Sequence, residues 1–152
     1  MWGEMTEPRE PRNGSQATAG PFTHRITVRY GECDMQGVVF NPNYLVYADD
    51  VCDRWLIAAL GRDWSSRFDC AVKKASVEWH SAARHGDTIT FGLTVARWGS
   101  SSFDVRIESE VEGRQIVTID LVYVSVAPGS HTPVPVPAEI RTLLSEVGLG
   151  AR

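Results

Sequence analysis

The sequence predicts an α+β domain in which one long central helix packs on a roughly five-stranded antiparallel sheet. Three observations carry this expectation. A single stretch, NYLVYADDVCDRWLIAALG, repeats its large apolar residues near every 3.6 positions and closes on a glycine. A run before it and four after it show the apolar–polar alternation of half-buried strands or the continuous apolarity of a central one. Between two of those runs, Glu112-Gly113-Arg114 has the composition of a tight turn, which joins antiparallel neighbours.

Taken in chain order, residues 1–21 are rich in Glu, Pro, Arg, Gly, Ser and Gln without apolar periodicity, and are expected to form a disordered N-terminal tail. Residues 22–152 are expected to form a single domain. HRITVRY sets Ile26, Val28 and Tyr30 on one face of a first strand. GECDMQGVVFNP follows, punctuated by Gly31, Gly37 and Pro42. In the helix, Tyr44, Tyr47, Val51, Trp55, Ile57 or Ala58, and Leu60 recur, so burial over much of its circumference is expected. Asn41 or Asn43 is placed to cap its start, and Gly61 to end it.

The remaining strands follow the same logic. KKASVEWHS alternates in Ala75, Val77 and Trp79, DTITFGLTVARW in Ile89, Phe91, Leu93 and Val95, and SSFDVRIESEV in Phe103, Val105 and Ile107. RQIVTIDLVYVSV is partly apolar on both faces, as a central strand is. After the proline-rich PGSHTPVPVP, AEIRTLLSEVG suggests a short amphipathic helix. Long strands leave open sheet edges, and pairing of an edge with a second copy covers that liability, so a homodimer through edge-strand pairing is expected.

Composition narrows the function. A chain of 152 residues suffices for one domain, and one this size buries roughly 70% of its unfolded surface. With 43% hydrophobic and 22% charged residues it is ordinary for a globular protein. A net charge of −4 gives no general basic field for nucleic acid or an anionic membrane, so a phosphorylated ligand needs a local basic pocket. Cys33, Cys52 and Cys70 are odd in number and lack C-x-x-C spacing, which argues against a disulfide framework and a structural zinc. With no signal-peptide pattern and no stretch of about 18 apolar residues, a cytoplasmic location is expected and no membrane partner.

The chemistry concentrates in RYGECDMQGVVFNPNY. Asp34 lies after a strand and before a helix, in a glycine-flanked turn that can aim backbone N–H groups at a polarised carbonyl. A carboxylate beside such groups can act as nucleophile or as general base on water. An aspartate in this position is also the ordinary way to cap a turn.

This stretch resembles the signature of the 4-hydroxybenzoyl-CoA thioesterase family of hotdog proteins. In that family a strand leads to an aspartate, then a small-residue turn with glycine, a hydrophobic pair, and an Asn-x-x-Tyr-like helix start. Here those elements are Asp34, Gly37, Val38-Val39, and Asn41 to Tyr44. VEWHSAARHGDTITF and WGSSSFDVRIE are similar to later family segments, so the resemblance runs from about Thr23 to Ala127.

The resemblance implies a hotdog acyl-CoA thioesterase that hydrolyses a fatty-acyl or aromatic acyl-CoA, or an acyl carrier protein thioester, with no metal and no cofactor. Asp34 would attack the carbonyl or activate water. The N–H groups near Gly37 and Val38, at the start of the helix, would polarise the thioester oxygen. Asn41 stands where relatives variously carry Tyr, His or Asn, and can orient water or substrate or serve as a plain cap. Tyr44 lies near the acyl pocket or anchors the core, and Asp49 matches a helix position where relatives often have Glu. Candidates for the CoA phosphates are Lys74, Arg84, His85 and Arg97, with Lys73 beside them, and Ser100 and Ser101 in the WGSSS hairpin, where Ser102 follows. The resemblance also implies a site at a subunit interface and a homotetramer built from two dimers. The rival expectations are a non-catalytic acyl-CoA-binding hotdog protein and a hotdog hydratase or dehydratase. The second is disfavoured because no histidine follows an aspartate at the five-residue spacing of those enzymes.

Overall fold

A computed structural model describes residues 21–147, so the expected N-terminal tail lies outside the described residues except for Pro21. The chain runs β1 (Phe22–Thr27), a 3-10 turn (Tyr30–Glu32), α1 (Asn43–Leu60), a second 3-10 turn (Trp64–Ser66), β2 (Asp69–Trp79), β3 (Thr88–Trp98), β4 (Ser102–Val111), β5 (Arg114–Val126) and α2 (Ala138–Glu146). The five strands form one antiparallel sheet in the order β1-β3-β4-β5-β2. Glu112 and Gly113 both take positive φ (49° and 82°), which gives the β4–β5 hairpin the two-residue turn whose twist suits antiparallel strands.

One face of α1 is buried through Tyr44, Tyr47, Ala48, Val51, Cys52, Trp55, Leu56 and Leu60. It meets the sheet through rings: Tyr47 stands edge-on to Phe91 at 6.0 Å, and Trp55 lies 6.4 Å from Phe103. Phe103 is fully buried and also contacts Tyr123, Trp98 and Phe68 at centroid distances of 5.3, 5.1 and 6.2 Å. α2 packs on α1 and buries Ile140 and Leu144, while its Arg141 lies over the Trp98 ring at 5.2 Å and donates to the Gly99 carbonyl.

The fold class, the strand alternation in β3 and β4 and the 112–114 turn agree with the sequence; four details do not. The helix is short rather than long: 18 residues span about 27 Å, against about 43 Å for the 13 residues of β5. Its buried face is also narrower than expected, since Leu45 and Val46 are exposed. β1 ends at Thr27, because Tyr30 enters the 3-10 turn and is 82% exposed instead of facing the core. β2 begins at Asp69, earlier than its alternation suggests, and a bulge between Val72 and Lys74 breaks its period. Most of β2 is exposed, since it is an edge strand with β5 on one side only. No helix of the described residues is long and apolar enough to cross a membrane.

The topology gathers three connections at one end of the sheet. The last residue of β1 pairs with the first of β3 (Thr27 with Thr88), and the end of β2 pairs with the start of β5 (Trp79 with Val117). The segments 28–42, 80–87 and 112–114 therefore meet, although they are far apart in sequence.

Candidate functional site

The Asp34 segment is a tight turn held from within. Asp34 N–H donates to the Val38 carbonyl at 2.8 Å, Gly37 N–H donates to the Asp34 carbonyl at 2.9 Å, and Gln36 N–H donates to Asp34 Oδ1 at 2.8 Å. Gly37 sits at φ 75°, where a side chain would strain the backbone, so glycine is what the turn requires. Asp34 thus caps its own turn with one carboxylate oxygen. Among the described residues Oδ2 has no hydrogen-bond partner, and the carboxylate is half-buried.

The turn is stitched to its neighbours on two sides. Val39 N–H donates to the Ala83 carbonyl at 2.9 Å, Val38 bridges to Arg84 in antiparallel fashion, and Ala83 N–H donates to the Tyr44 hydroxyl at 3.3 Å. On the other side stands Glu32. Its carboxylate accepts from the Arg29 amide at 2.8 Å, from the Arg29 guanidinium at 2.8 and 2.9 Å, and from the Tyr47 hydroxyl at 2.7 Å. Its carbonyl accepts from Phe40 N–H and from the Asn43 side chain. Glu32 therefore ties the loop carrying Asp34 to α1.

Burial alone pushes the Glu32 carboxyl up. The hydrogen bonds from the Arg29 amide, the Tyr47 hydroxyl and the Arg29 guanidinium outweigh burial and hold it below its ordinary value of 4.5. A carboxyl depressed in the folded state contributes stability that is present above the unfolded value and lost as pH falls through the folded one. Glu32→Gln is therefore expected to lower the urea midpoint at pH 7, and the gap from wild type to shrink as pH falls below about 4.5. An equal gap at pH 7 and pH 3 would contradict the assignment. Burial likewise raises Tyr44, which keeps its phenolic proton at neutral pH.

Asp34, Val38, Asn41 and Tyr44 line a single cleft of about 190 Å³ together with Trp79 and Ser81. A second lobe of about 330 Å³ adjoins it, sharing Gln36, Val38, Ser81 and Ala82 and adding His80, Arg84 and Arg114. Arg114 is fixed by bonds from its Nη1 to Ser81 Oγ and to the Ala82 carbonyl, each at 2.8 Å.

Several expectations meet a different geometry. Gly37 and Val38 do not stand at the start of the helix, which begins at Asn43, and the Gly37 amide is already engaged by the Asp34 carbonyl. The Val38 amide makes no backbone hydrogen bond among the described residues, which leaves it as the amide of the pair open to a ligand. Neither Asn41 nor Asn43 caps α1 with its side chain. Pro42 holds the cap position, Asn41 supplies its carbonyl to Tyr44 N–H, and the Asn43 amide goes to Glu32. Asp49 is exposed on α1 and does not line the Asp34 cleft. The neighbouring Asp50 and Asp53 are, by contrast, the ordinary paired carboxylates the helix pattern suggests: Asp50 pairs with His24 and Arg54, and Asp53 accepts from the Trp64 indole.

The residues proposed for CoA split into separate groups. Arg84 and His85 lie beside the cleft, His85 standing edge-on to Tyr30 at 5.9 Å. Arg97, Ser100 and Ser101 lie at the far end of β3, about 36 Å away along its 11 residues. Arg97 is already held by Asp104 in a two-pronged pair at 3.0 and 3.1 Å, and Lys74 sits on β2 between the two ends. One chain does not bring these groups to a single ligand. Arg114 and Ser81 had no sequence signal of their own, because only the meeting of β5 with the 80–87 loop makes them neighbours of Asp34, while Gln36 belongs to the Asp34 turn itself. Among the described residues no group of three or more His, Cys, Asp or Glu could hold a metal ion.

Comparison with known proteins gives the same architecture. A 1,4-dihydroxy-2-naphthoyl-CoA thioesterase from Synechocystis is 21% identical, with a TM-score of 0.72 over 82% of this chain and 96% of that one. A thioesterase from Thermus thermophilus, complexed with coenzyme A and zinc, is 24% identical, with a TM-score of 0.73 over 82% and 98%. A Staphylococcus aureus protein in complex with CoA is 16% identical, with a TM-score of 0.77 over 91% and 98%. At these identities the likeness concerns the fold. No curated protein sequence matches the chain. The family model of the thioesterase-like superfamily matches residues 28–144, and on that match the chain belongs to the thioesterase-like superfamily, with the hotdog fold.

Proposed function

We propose that this protein is an acyl-CoA thioesterase that hydrolyses a fatty-acyl or aromatic acyl-CoA to the free acid and CoA. Superfamily membership supports thioester hydrolysis in general, and the solved relatives that carry CoA favour CoA over an acyl carrier protein. The observation that carries the proposal is the cleft itself. A half-buried carboxylate with one uncommitted oxygen lines it together with Val38, Asn41 and Tyr44.

As a general base, Asp34 takes a proton from water while the water oxygen adds to the thioester carbon. The carbonyl electron pair moves onto oxygen, where the Val38 N–H stabilises it. Collapse expels the CoA thiolate, which recovers the proton from Asp34. As a nucleophile, the Asp34 carboxylate instead expels the thiolate to form an acyl anhydride that water then cleaves. Asn41 holds water or substrate by hydrogen bonds in either course, and Tyr44 offers a protonated hydroxyl at the inner wall. Asp49 enters only if a second copy brings it to the cleft. No cofactor takes part.

The test is release of free thiol from acetyl, medium-chain, long-chain and benzoyl CoA esters, with Asp34→Asn in parallel. Thiol release by the wild type and not by the variant is expected. Release from no ester, with tight acyl-CoA binding, would replace hydrolysis by a binding role. In a single turnover in ¹⁸O-water, label in Asp34 establishes the nucleophilic course, with water cleaving the anhydride at the Asp34 carbonyl.

The protein is also proposed to work as a homodimer through the open edge of β2, where Val72 and Trp79 are 50% and 43% exposed in the single chain, and as a homotetramer of two such dimers. Light scattering is expected to give two or four times the 16.8 kDa chain mass. A 16.8 kDa species at micromolar concentration would rule out a site that needs two chains.

A further inference from the structure

Two arginines, Arg84 and Arg114, line the lobe that adjoins the Asp34 cleft. The Arg84 backbone bridges to Val38, the residue whose free amide faces the thioester in the proposed reaction. Its guanidinium lies against the turn: a methyl group added at Gly37 would sit 3.9 Å from Arg84 Nη1. Among the described residues that guanidinium has no carboxylate partner. Arg114, which lines the same lobe, is held in place by Ser81 Oγ and the Ala82 carbonyl, and among the described residues its one ion-pair partner is Asp87, 3.9 Å from its Nη2. The lobe they line therefore carries an excess of positive charge on a chain of net charge −4, and it opens directly into the Asp34 cleft through four shared residues.

Such a lobe suits an anion one short step from the thioester carbon. The phosphates of coenzyme A are separated from the sulfur by the whole pantetheine arm, with its two amide units, so they do not reach a lobe sharing its walls with the reacting group. A carboxylate at the far end of a short acyl chain does. Two planar guanidinium groups also match a carboxylate through paired N–H bonds.

We propose that the acyl group this protein accepts bears an anionic end, a short dicarboxylic acyl chain being the simplest case, and that Arg84 and Arg114 read it. The inference rests on the thioesterase reading and narrows its substrate class.

The experiment compares kcat/KM for glutaryl-CoA with that for the neutral hexanoyl-CoA, enzyme-free hydrolysis subtracted, in the wild type, Arg84→Gln and Arg114→Gln. The wild type is expected to prefer glutaryl, and the ratio to fall about tenfold or more in Arg84→Gln, the cost of a lost charged hydrogen bond. A ratio unchanged by Arg84→Gln, or no glutaryl preference at all, overturns the proposal. The same pair as N-acetylcysteamine thioesters, which carry no phosphate, identifies the source of the anion. Persistence of the preference there supports the acyl carboxylate. An Arg84 effect confined to the CoA esters assigns the lobe to a CoA phosphate and overturns the proposal. Calorimetry with the two ketone analogues in which CH₂ replaces the thioester sulfur reads the preference without turnover. If no ester is hydrolysed but the glutaryl analogue binds more tightly and loses that advantage in Arg84→Gln, the anion site stands and hydrolysis falls. Equal binding of the two analogues removes the anion site.

Discussion

Asp34→Asn is expected to lower kcat/KM for acyl-CoA hydrolysis by about 10²–10⁴-fold, the range typical for loss of a general base. The substitution is informative because Asp34 does two things. Its Oδ1 caps the turn by accepting Gln36 N–H, and an asparagine oxygen can do the same. The turn, with Gly37 at φ 75° and the Val38 amide beyond it, should therefore survive while the basic oxygen is lost. The melting temperature is expected to stay within about 2 °C of the wild type, as befits a change below about 0.5 kcal/mol in a chain of this size. Asp34→Ala removes the cap as well and is expected to lose stability in addition to activity. Full activity in Asp34→Asn, with thiol release intact, would reduce Asp34 to a turn cap and move the search for the base elsewhere.

Phe103→Ala is expected to have the largest effect on stability, about 3–5 kcal/mol. Phe103 is the shared contact of Trp55 from α1, Trp98 from β3, Tyr123 from β5 and Phe68 from the segment before β2, and it has no exposed surface. Rigid rings on all sides collapse poorly into the space a lost ring leaves, which favours the upper part of that range. At roughly 2–4 °C per kcal/mol the melting temperature should drop by about 10 °C. Calorimetry of the two proteins at equal concentration checks this. A fall under about 3 °C would mean that the neighbours refill the site, and that the four rings do not depend on Phe103 for their arrangement.

The two substitutions also mark how far local sequence carries. Phe103 was legible as an inward residue, because it alternates with Asp104 and Arg106 along β4, and the period of two survives in the fold. Asp34 was legible as a turn residue with glycine nearby. The same alternation groups Trp79 with Ala75 and Val77, which left it open between core and pocket wall; in the fold it is 43% exposed and lines the Asp34 cleft. The alternation was real, but β2 is an edge strand, and a single chain leaves part of its surface uncovered. Tyr30 failed for a different reason: the strand pattern runs on through it, while Arg29 and Glu32 close a 3-10 turn by pairing with each other. Side-chain capping overrode periodicity there.

The sequence by itself determined the α+β class, the position of the helix, the five strands, the β4–β5 turn and the candidacy of Asp34 in its glycine-flanked turn. Each of these is written in contacts between residues two to four apart, or in the conformational demands of a single glycine. The tertiary structure alone decided which candidates share a cleft. It joined Asp34 to Arg84 and Arg114, which lie fifty and eighty residues downstream. It also placed Arg97, Ser100 and Ser101 at the opposite end of the sheet. The physical reason is strand order. Residues at the two ends of one long strand stand about 36 Å apart, whereas residues from three different connections meet wherever β1, β2, β3 and β5 align their ends. No local period records that order, because it follows from burying the apolar face of the whole sheet against one helix.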